Sequence, residues 1–200
     1  MTPKIAVPAC ALAAQLALAT TLVAQERTGY DWSHGTTWTG IVGAASAESA
    51  DTRATLGGGF GWTLNHWVAI EASGQWLVPR TEDHGFSADL MAVVNLARNS
   101  RVIPFVGGGM GLYIASFDTT TGTIPDFYQA RIPESSGITH RTFTDPMFAF
   151  SAGVDIAARA RWSIRPVVDV KLVTDGSSAY PIAIAAVRFT YRFERHGAGG

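Results

Sequence analysis

The chain has 200 residues, with 15 basic and 16 acidic side chains and a formal net charge of −1. Such a near-neutral chain gives no electrostatic reason to expect binding to nucleic acid. Its longest uncharged stretches, residues 54–70 and 102–117, are too short and too rich in glycine to cross a membrane as helices.

The N-terminus has the features of a secretory signal peptide. Residues 1–25 read MTPKIAVPACALAAQLALATTLVAQ, in which Lys4 precedes a run rich in alanine and leucine, and small Ala24 suits a cleavage position. A membrane anchor is the alternative, but Pro8 interrupts the run and no basic cluster follows it. We therefore predict a signal peptide over residues 1–24 and an exported chain. The only cysteine, Cys10, would leave with it, so the exported chain has no disulfide framework.

After an N-terminal segment of residues 25–35, the chain shows eight strand-like segments. They are residues 36–46, 53–64, 67–78, 86–97, 102–117, 147–158, 162–173 and 181–193. The spacing predicts an antiparallel up-and-down meander. Tight connections after segments two, four and six alternate with longer ones at 47–52, 79–85, 118–146 and 174–180. One end made of short turns and one of longer loops is typical of outer-membrane barrels, although soluble barrels can share it.

Apolar and polar residues alternate along these segments with the period of a strand. The last segment contains VRFTYRF (187–193), which places four apolar or aromatic residues on one face and Arg188 and Arg192 on the other. Segments three, four, six and seven alternate in the same way, whereas the first is ambiguous. In a soluble barrel the apolar face would be the core. In a membrane barrel it would meet lipid, and the charges would point inward.

Two glycine runs favour the membrane arrangement. LGGGFGW (56–62) and VGGGMGLY (106–113) place alternate glycines on the face opposite the apolar residues. Water-facing positions do not call for glycine, which weakens a strand. The lumen of an eight-stranded barrel is only just filled by side chains. We therefore expect the glycines to leave room there for long charged side chains. A phosphate-binding loop is excluded, since neither run has the glycine spacing of that motif or a helical pattern after it.

Aromatic residues concentrate at the segment ends on the side of the short turns. The set comprises Trp38, Trp62, Trp67, Trp162, Tyr191 and Phe193, with Trp76 near the opposite end. Belts of this kind mark the two interfaces of a membrane barrel.

Three stretches resemble the small outer-membrane β-barrel domains of the OmpA/OmpX type. They are LGGGFGWTLNHWVAIEASGQW (56–76), PFVGGGMGLYIA (104–115) and FSAGVDIAARARWSIRPVVDVKLV (150–173). The resemblance spans about residues 36–193 and implies an all-β, eight-stranded antiparallel transmembrane barrel in the outer membrane, followed by a tail of residues 194–200. It implies contact with outer-membrane lipid and lipopolysaccharide.

The resemblance also implies a role for the C-terminal strand. In this family the strand is read by the barrel-assembly machinery during insertion, and the matching residues are Val187, Phe189, Tyr191 and Phe193. Many members stop at the final aromatic residue, whereas here ERHGAGG follows.

Charged residues on the inner face form the most concentrated polar set. They are Arg53, Glu71, Asp89, Asp155, Arg165, Asp169, Lys171, Arg188 and Arg192. Buried charges need partners, so we predict a lumen charge network that plugs the barrel. A narrow path for ions or small solutes is the alternative.

No motif for catalysis or cofactor binding is present. The five histidines have no metal-ligand spacing, and His140 lacks the serine arrangement of lipid-A-modifying barrels. We predict no catalytic, metal or cofactor site. The connection 118–146 is the best candidate for contact with an extracellular partner, although its aromatic residues could instead pack over the barrel mouth.

The sequence thus predicts a monomeric outer-membrane barrel with a plugged polar lumen and a structural or surface-interaction role. The alternatives are a narrow channel, a soluble exported ligand binder of lipocalin type, and a lipid-A-modifying enzyme.

Overall fold

The computed structural model describes residues 35–47, 50–80, 83–97, 100–120, 124–132, 139–159 and 161–193. Within these ranges the strands are β1 Gly35–Ala47, β2 Ala50–Thr63, β3 Val68–Arg80, β4 Asp83–Asn95, β5 Val102–Asp118, β6 His140–Arg159, β7 Trp162–Thr174 and β8 Ala179–Arg192. A short helix, α1, spans Asp126–Gln129 between β5 and β6. The predicted signal peptide 1–24 and tail 194–200 lie outside the described residues. No described helix has the length and apolar character needed to cross a bilayer.

The eight strands form a closed barrel. Each pairs antiparallel with its sequence neighbours, and β8 pairs with β1. Following directly paired residues around the barrel from Thr37 returns to β1 at Ala47, a stagger of ten residues (from 37 to 47). A stagger of this size tilts eight strands by about 40° from the barrel axis. Closure leaves no unpaired strand edge. The predicted eight-stranded antiparallel barrel is confirmed.

The two faces of the wall follow the predicted alternation. Large apolar side chains point outward, and Phe60 and Met110 are 52% and 66% exposed. Charged side chains point inward, and Lys171 and Arg188 are only 2% and 1% exposed. An apolar outside around a charged inside is the arrangement of a barrel that sits in lipid.

The first strand, ambiguous in the sequence, is settled by the structure. Trp38 and Val42 point outward and are exposed, whereas Thr37, Thr39 and Ile41 are buried inside. The alternation was hidden because two inward positions carry threonine and a third carries isoleucine.

The glycine runs lie on the inner face. Our expectation that they leave room for charged side chains is wrong where neighbouring strands come closest to the glycines. A Cβ atom on Gly109 or Gly111 would collide with the β4 backbone, at the carbonyl oxygens of Leu90 and Ala88. These glycines therefore allow the sheet to curve so that β5 lies close to the backbone of β4. They do not clear space for charged side chains. At Gly61 the expected reason holds in part, since its Cβ would lie 3.4 Å from Cγ of Glu71.

The connections are shorter than predicted at one end of the barrel. β1 and β2 are joined by residues 48–49, and β3 and β4 by residues 81–82, where we expected loops at 47–52 and 79–85. β6 begins at His140, so the predicted connection 118–146 shrinks to 119–139. The outward Thr142 and Thr144 on this part of β6 are exposed and polar. The strands project beyond the apolar band, so the apolar alternation stops before they do.

We name the two ends by their connections. The turn end carries connections 64–67, 96–101 and 160–161 and both ends of the barrel chain, and the mouth carries connections 48–49, 81–82, 119–139 and 175–178. Short turns face the periplasm in bacterial outer-membrane barrels, and longer loops face outward. The aromatic residues predicted at the turn end are there, and Trp38, Trp62, Trp67 and Trp162 all point outward and are exposed.

Candidate functional site in the barrel lumen

Inward side chains from β3, β7 and β8 meet in the half of the lumen nearer the turn end. Arg165 Nη1 donates a hydrogen bond to Glu71 Oε1 at 2.5 Å, and Arg188 Nη1 donates to Glu71 Oε2 at 3.2 Å. Arg188 Nη2 also donates to both carboxylate oxygens of Asp169, each at 2.9 Å. Glu71 therefore bridges two guanidinium groups across the barrel.

Asp155 extends this group toward the turn end. Its Oδ2 lies 3.2 Å from Arg165 Nε and 3.4 Å from Arg192 Nη2. The Arg165 guanidinium also lies over the Phe105 ring, 4.4 Å from its centroid, which is a favourable cation–π distance. Arg165 is thus held by two carboxylates and an aromatic face.

Lys171 and Asp89 form a second ion pair, nearer the middle of the lumen. Lys171 Nζ donates to Asp89 Oδ2 at 2.8 Å and to Ser87 Oγ at 2.7 Å, and Ser73 Oγ donates to Asp89 Oδ1 at 2.7 Å. The small serine side chains supply the hydrogen bonds that the ions need beyond each other.

Four acids and four bases are therefore brought together in the lumen. We call Glu71, Asp89, Asp155, Arg165, Asp169, Lys171, Arg188 and Arg192 the lumen charge cluster. Their formal charges sum to zero, and each makes an ion pair with another member. Removing one member of a buried pair typically costs about 3–5 kcal/mol, because the other charge stays buried without compensation.

The structure does not bring Arg53 together with these eight residues. It lies near the mouth, where it lines a cavity of about 30 Å³ with His84, Tyr113 and Tyr180. The alternation of a strand assigns a residue to a face, but it gives no height along the barrel axis. Sequence reasoning therefore could not separate Arg53 from the cluster.

Little open space is left in the described lumen. Besides the cavity near the mouth, a second one of about 20 Å³ lies at the turn end beside Thr37, Glu71 and Arg165. A water molecule needs about 10–15 Å³ of such space, so each cavity has room for a water or two. Gln75, fully buried on β3, has no hydrogen-bond partner for its amide among the described residues, which makes it a natural position for an internal water.

Aromatic rings cover the lumen at the mouth. Tyr128 of α1 is fully buried, with its ring centroid 4.8 Å from that of Phe117 and 5.1 Å from that of Phe143. Phe127 stacks on Tyr180 at 5.7 Å. We call these five residues the mouth cover. Of the two options that the sequence left for the loop aromatics, packing over the mouth is confirmed for Phe127 and Tyr128.

Arg131 fastens the mouth cover to the barrel wall. Its Nη1 donates to Asp145 Oδ2 at 2.9 Å, and its guanidinium lies 4.8 Å from the centroid of Phe143. The hydrogen bond to Asp145 raises the pKa of Arg131, and burial raises the pKa of Tyr128. Sequence reasoning missed this pair because it placed Asp145 in a loop. The inward position of Asp145 on an extended β6 was the signal that could have found it.

The four residues proposed as the insertion signal lie on the outer face of the last strand. Phe189 and Phe193 are exposed, and Val187 and Tyr191 are half-buried. The Tyr191 ring lies 4.9 Å from that of Trp162 and 5.4 Å from that of Phe193. These residues thus form part of the aromatic belt at the turn end.

In the portion of the chain that the structure describes, no three histidine, cysteine, aspartate or glutamate side chains are grouped in a way that could hold a metal ion. The acids of the lumen are engaged with arginine and lysine, which leaves them as fixed counter-ions.

Comparisons with known proteins agree with this architecture. Neisserial surface protein A has 13% identity and a TM-score of 0.58, with 80% of this chain and 97% of that one covered. Ail, the attachment invasion locus protein of Yersinia pestis, has 10% identity, a TM-score of 0.52 and coverage of 80% and 99%. OprG from Pseudomonas aeruginosa has 11% identity, a TM-score of 0.50 and coverage of 82% and 98%.

At such identities these likenesses concern the fold. No curated protein sequence matches the chain significantly. The family described as outer membrane protein beta-barrel domain, however, matches residues 5–193, which is nearly the whole chain. The chain therefore belongs to the outer membrane protein beta-barrel domain family, and it is a protein of the outer membrane.

Proposed function

We propose that this protein closes its own lumen and serves the outer membrane structurally or through surface contacts, and does not act as a pore. The observation that carries the proposal is the lumen charge cluster, in which Arg188 of β8 reaches Glu71 of β3 across the barrel and also pairs with Asp169 of the neighbouring β7. Paired buried charges of this kind are costly to separate, so they hold the lumen shut. The closed barrel has no free edge for lateral pairing, which supports a monomer.

Planar-bilayer recordings of the purified, refolded protein test lumen closure directly. We expect no stable conductance at neutral pH. Reproducible porin-like channels would overturn the proposal, and small discrete openings would support the narrow-channel alternative. A positive control is the variant Glu71→Ala/Asp169→Ala/Arg188→Ala, which removes three adjacent members of the cluster. Conductance from this variant alone would show that the cluster closes the barrel.

The surface role is assigned to the connection 119–139, which lies at the mouth between β5 and β6. Two proteins of the same fold carry surface-related names, Neisserial surface protein A and the attachment invasion locus protein. Identities of 13% and 10% transfer the fold alone, so the proposal depends on the mouth of this chain. Replacing residues 119–139 with a two-residue turn should preserve barrel folding and abolish adhesion or resistance phenotypes. Unchanged phenotypes would argue for a purely structural role.

An enzymatic role can be tested separately. We propose that the protein has no catalytic site, since the lumen acids, including those that accept hydrogen bonds from serine hydroxyls, are held in ion pairs with arginine and lysine. Mass spectrometry of lipid A from cells with and without the protein should give identical spectra. A reproducible mass shift on expression would establish the enzyme alternative.

We also propose that Val187, Phe189, Tyr191 and Phe193 form the signal for barrel insertion. Their support is their position on the outer, lipid-facing side of β8. Phe193→Ala should reduce the heat-modifiable folded band in outer-membrane fractions. Phe148 on β6 is about as exposed as Phe193, and Phe148→Ala should leave that band unchanged. A chain ending at Phe193 should insert normally. Equal losses in both alanine variants would assign the effect to lost lipid contact.

A further inference from the structure

Three arginines gather on the rim of the turn end, outside the lumen. Arg101 precedes β5, Arg159 ends β6, and Arg161 precedes β7. Arg101 lies beside the end of β6, since the Ala157 amide donates to the Arg101 carbonyl oxygen at 2.8 Å and Arg101 Nε donates to the Ala157 carbonyl oxygen at 3.1 Å. Arg159 is paired with Trp162, the residue that follows Arg161. The rim arginines therefore lie at adjacent strand ends, where β5 and β7 begin and β6 ends.

These arginines differ from those in the lumen in their partners. Arg165, Arg188 and Arg192 each pair with a carboxylate. No carboxylate in the described ranges pairs with a rim arginine, and Arg101 and Arg159 are exposed. Three cations without counter-ions on one rim repel one another, so an anion from outside the chain would relieve that repulsion.

One of the three is held on the outer wall of the barrel. Arg161 Nη1 donates to the Tyr191 hydroxyl at 3.0 Å. Tyr191 belongs to the aromatic belt, packed between Trp162 and Phe193. Tyrosine and tryptophan rings sit at the level of lipid headgroups, with their polar atoms toward water. The Arg161 guanidinium is therefore placed at headgroup depth, beside lipid, with further N–H donors to offer.

We propose that Arg101, Arg159 and Arg161 form a binding site for the phosphate of an anionic phospholipid in the periplasmic leaflet of the outer membrane. Guanidinium groups bind phosphate oxygens through paired, charge-assisted hydrogen bonds. The neighbouring outward-facing Trp162 and Phe193 provide an apolar surface for the start of the acyl chains. This site is independent of lumen closure, since none of its residues belongs to the lumen charge cluster.

Native mass spectrometry of the folded full chain in detergent micelles tests the site. Phosphatidylglycerol is the probe, and phosphatidylcholine is the zwitterionic reference. We expect tighter retention of phosphatidylglycerol, weakened roughly fivefold by Arg161→Gln and at least tenfold by Arg101→Gln/Arg159→Gln/Arg161→Gln, because each basic residue near an anionic surface contributes about that factor. Arg141→Gln removes the same charge at the mouth and should leave retention unchanged.

Three outcomes would overturn the proposal. Equal retention of the two lipids by the unmodified protein would show that no anionic site exists. If Arg141→Gln and Arg161→Gln weakened phosphatidylglycerol retention equally, the effect would be due to net charge. Loss of lipid A binding with unchanged phosphatidylglycerol binding in the triple variant would place these arginines against the other leaflet. If the triple variant fails to give the heat-modifiable folded form, the matched single variants still decide.

Discussion

At the turn end the lumen is filled by paired charges, whereas at the mouth it is covered by aromatic rings. The lumen charge cluster joins four acids to four bases at distances of 2.5–3.4 Å. The mouth cover packs five rings, with Tyr128 buried among Phe117, Phe143 and Tyr180. The two closures lie at different heights in one barrel and use opposite chemistry.

The surroundings explain the difference. At the level of the charge cluster the strands carry apolar residues on their outer face, so lipid surrounds that part of the wall. Polar groups on its inner face must therefore find their hydrogen-bond and ion-pair partners inside the barrel. Beyond the apolar band, where Thr142 and Thr144 face outward, water surrounds the wall. An apolar cover is stable there for the ordinary reason that it removes apolar surface from water. The comparison predicts that breaking the ionic closure costs global stability, while breaking the aromatic closure opens only the mouth.

The largest expected effect comes from Arg188→Met. The change leaves Asp169 with Ser151 as its remaining side-chain hydrogen-bond donor in the described lumen, at 2.6 Å. We expect a loss of about 3–5 kcal/mol in the free energy of unfolding, measured by urea titration in lipid vesicles. Arg141→Met, on the projecting part of β6, should change it by less than about 0.5 kcal/mol.

A companion variant tests the reason for this loss. Arg188→Met/Asp169→Asn removes the uncompensated charge as well as its partner, so it should be more stable than Arg188→Met alone. A loss below about 1 kcal/mol in Arg188→Met would contradict the comparison, because the cluster would then be a minor contributor to the closed barrel.

The next largest effect on the free energy of unfolding is expected in the barrel wall between the lumen charge cluster and the mouth cover. A Cβ atom on Gly109 would collide with the backbone of β4, whereas one on the outward Gly108 would lie 3.9 Å from Phe150, an ordinary contact. We expect Gly109→Ala to lower the unfolding free energy by about 1–3 kcal/mol, as overpacking does. Gly108→Ala should be neutral or slightly stabilising, because it restricts the unfolded chain. Equal effects of the two variants would show that the sheet relaxes freely at Gly109.

The fold could be predicted from the sequence because lipid outside and ions inside impose a strict two-residue alternation. In β7, for example, Ile164 faces out while Arg165 faces in. One such pair assigns every other residue of the strand to a face, because the faces alternate along it. The same rule fails where its physical cause is absent. Above the apolar band, Thr142 and Asp145 are both polar, so the start of β6 looked like a loop.

The site was less predictable than the fold. Alternation selected all eight members of the lumen charge cluster, but it could not give their height, so Arg53 was grouped with residues from which it is separate. The Arg131–Asp145 pair depends on where a loop helix returns to the wall. Alternation along an extended β6 could have placed Asp145 on the inner face, but no local pattern encodes the return of Arg131, which is set by the packing of Tyr128 beneath it.

The aromatic closure should respond locally to Tyr128→Ala. Losing this ring empties the centre of the mouth cover, so we expect protease cleavage within 119–139 to rise roughly tenfold or more. The unfolding free energy of the barrel should change by less than about 1 kcal/mol, and bilayer recordings should stay silent because the charge cluster remains. Appearance of channels would show that the mouth cover, and not the cluster, closes the lumen.

Tyr128→Phe is the matched control for that experiment. The Tyr128 hydroxyl is buried and has no hydrogen-bond partner among the described residues. Removing an unsatisfied buried hydroxyl should be neutral or should tighten the mouth slightly. Cleavage of Tyr128→Phe should therefore match or fall below that of the unmodified protein. An increase as large as in Tyr128→Ala would mean that the hydroxyl does bind a partner, such as an internal water.

The smallest effect is expected at the turn beside the mouth cover, between β7 and β8. The Asp175 carboxylate accepts hydrogen bonds from the backbone amides of Ser178 and Ser177, both at 2.8 Å, and from the Ser177 hydroxyl at 2.9 Å. These bonds lower the pKa of Asp175 below its usual value of about 3.9. A lowered folded pKa means that the carboxylate stabilises the turn fully above about pH 4 and loses this effect as the pH falls through the folded value.

Amide exchange of Ser177 and Ser178, corrected for the intrinsic pH dependence of exchange, measures this effect. Protection factors should be constant from pH 7 to about pH 4 and should fall below that. Asp175→Asn lacks the titrating group, so its protection should start lower and stay flat over the same range. The mouth cover should keep the same protection in Asp175→Asn as in the unmodified protein, because its ring contacts involve no residue of this turn. Lower protection of the mouth cover in Asp175→Asn would show that the turn and the mouth cover move as one unit.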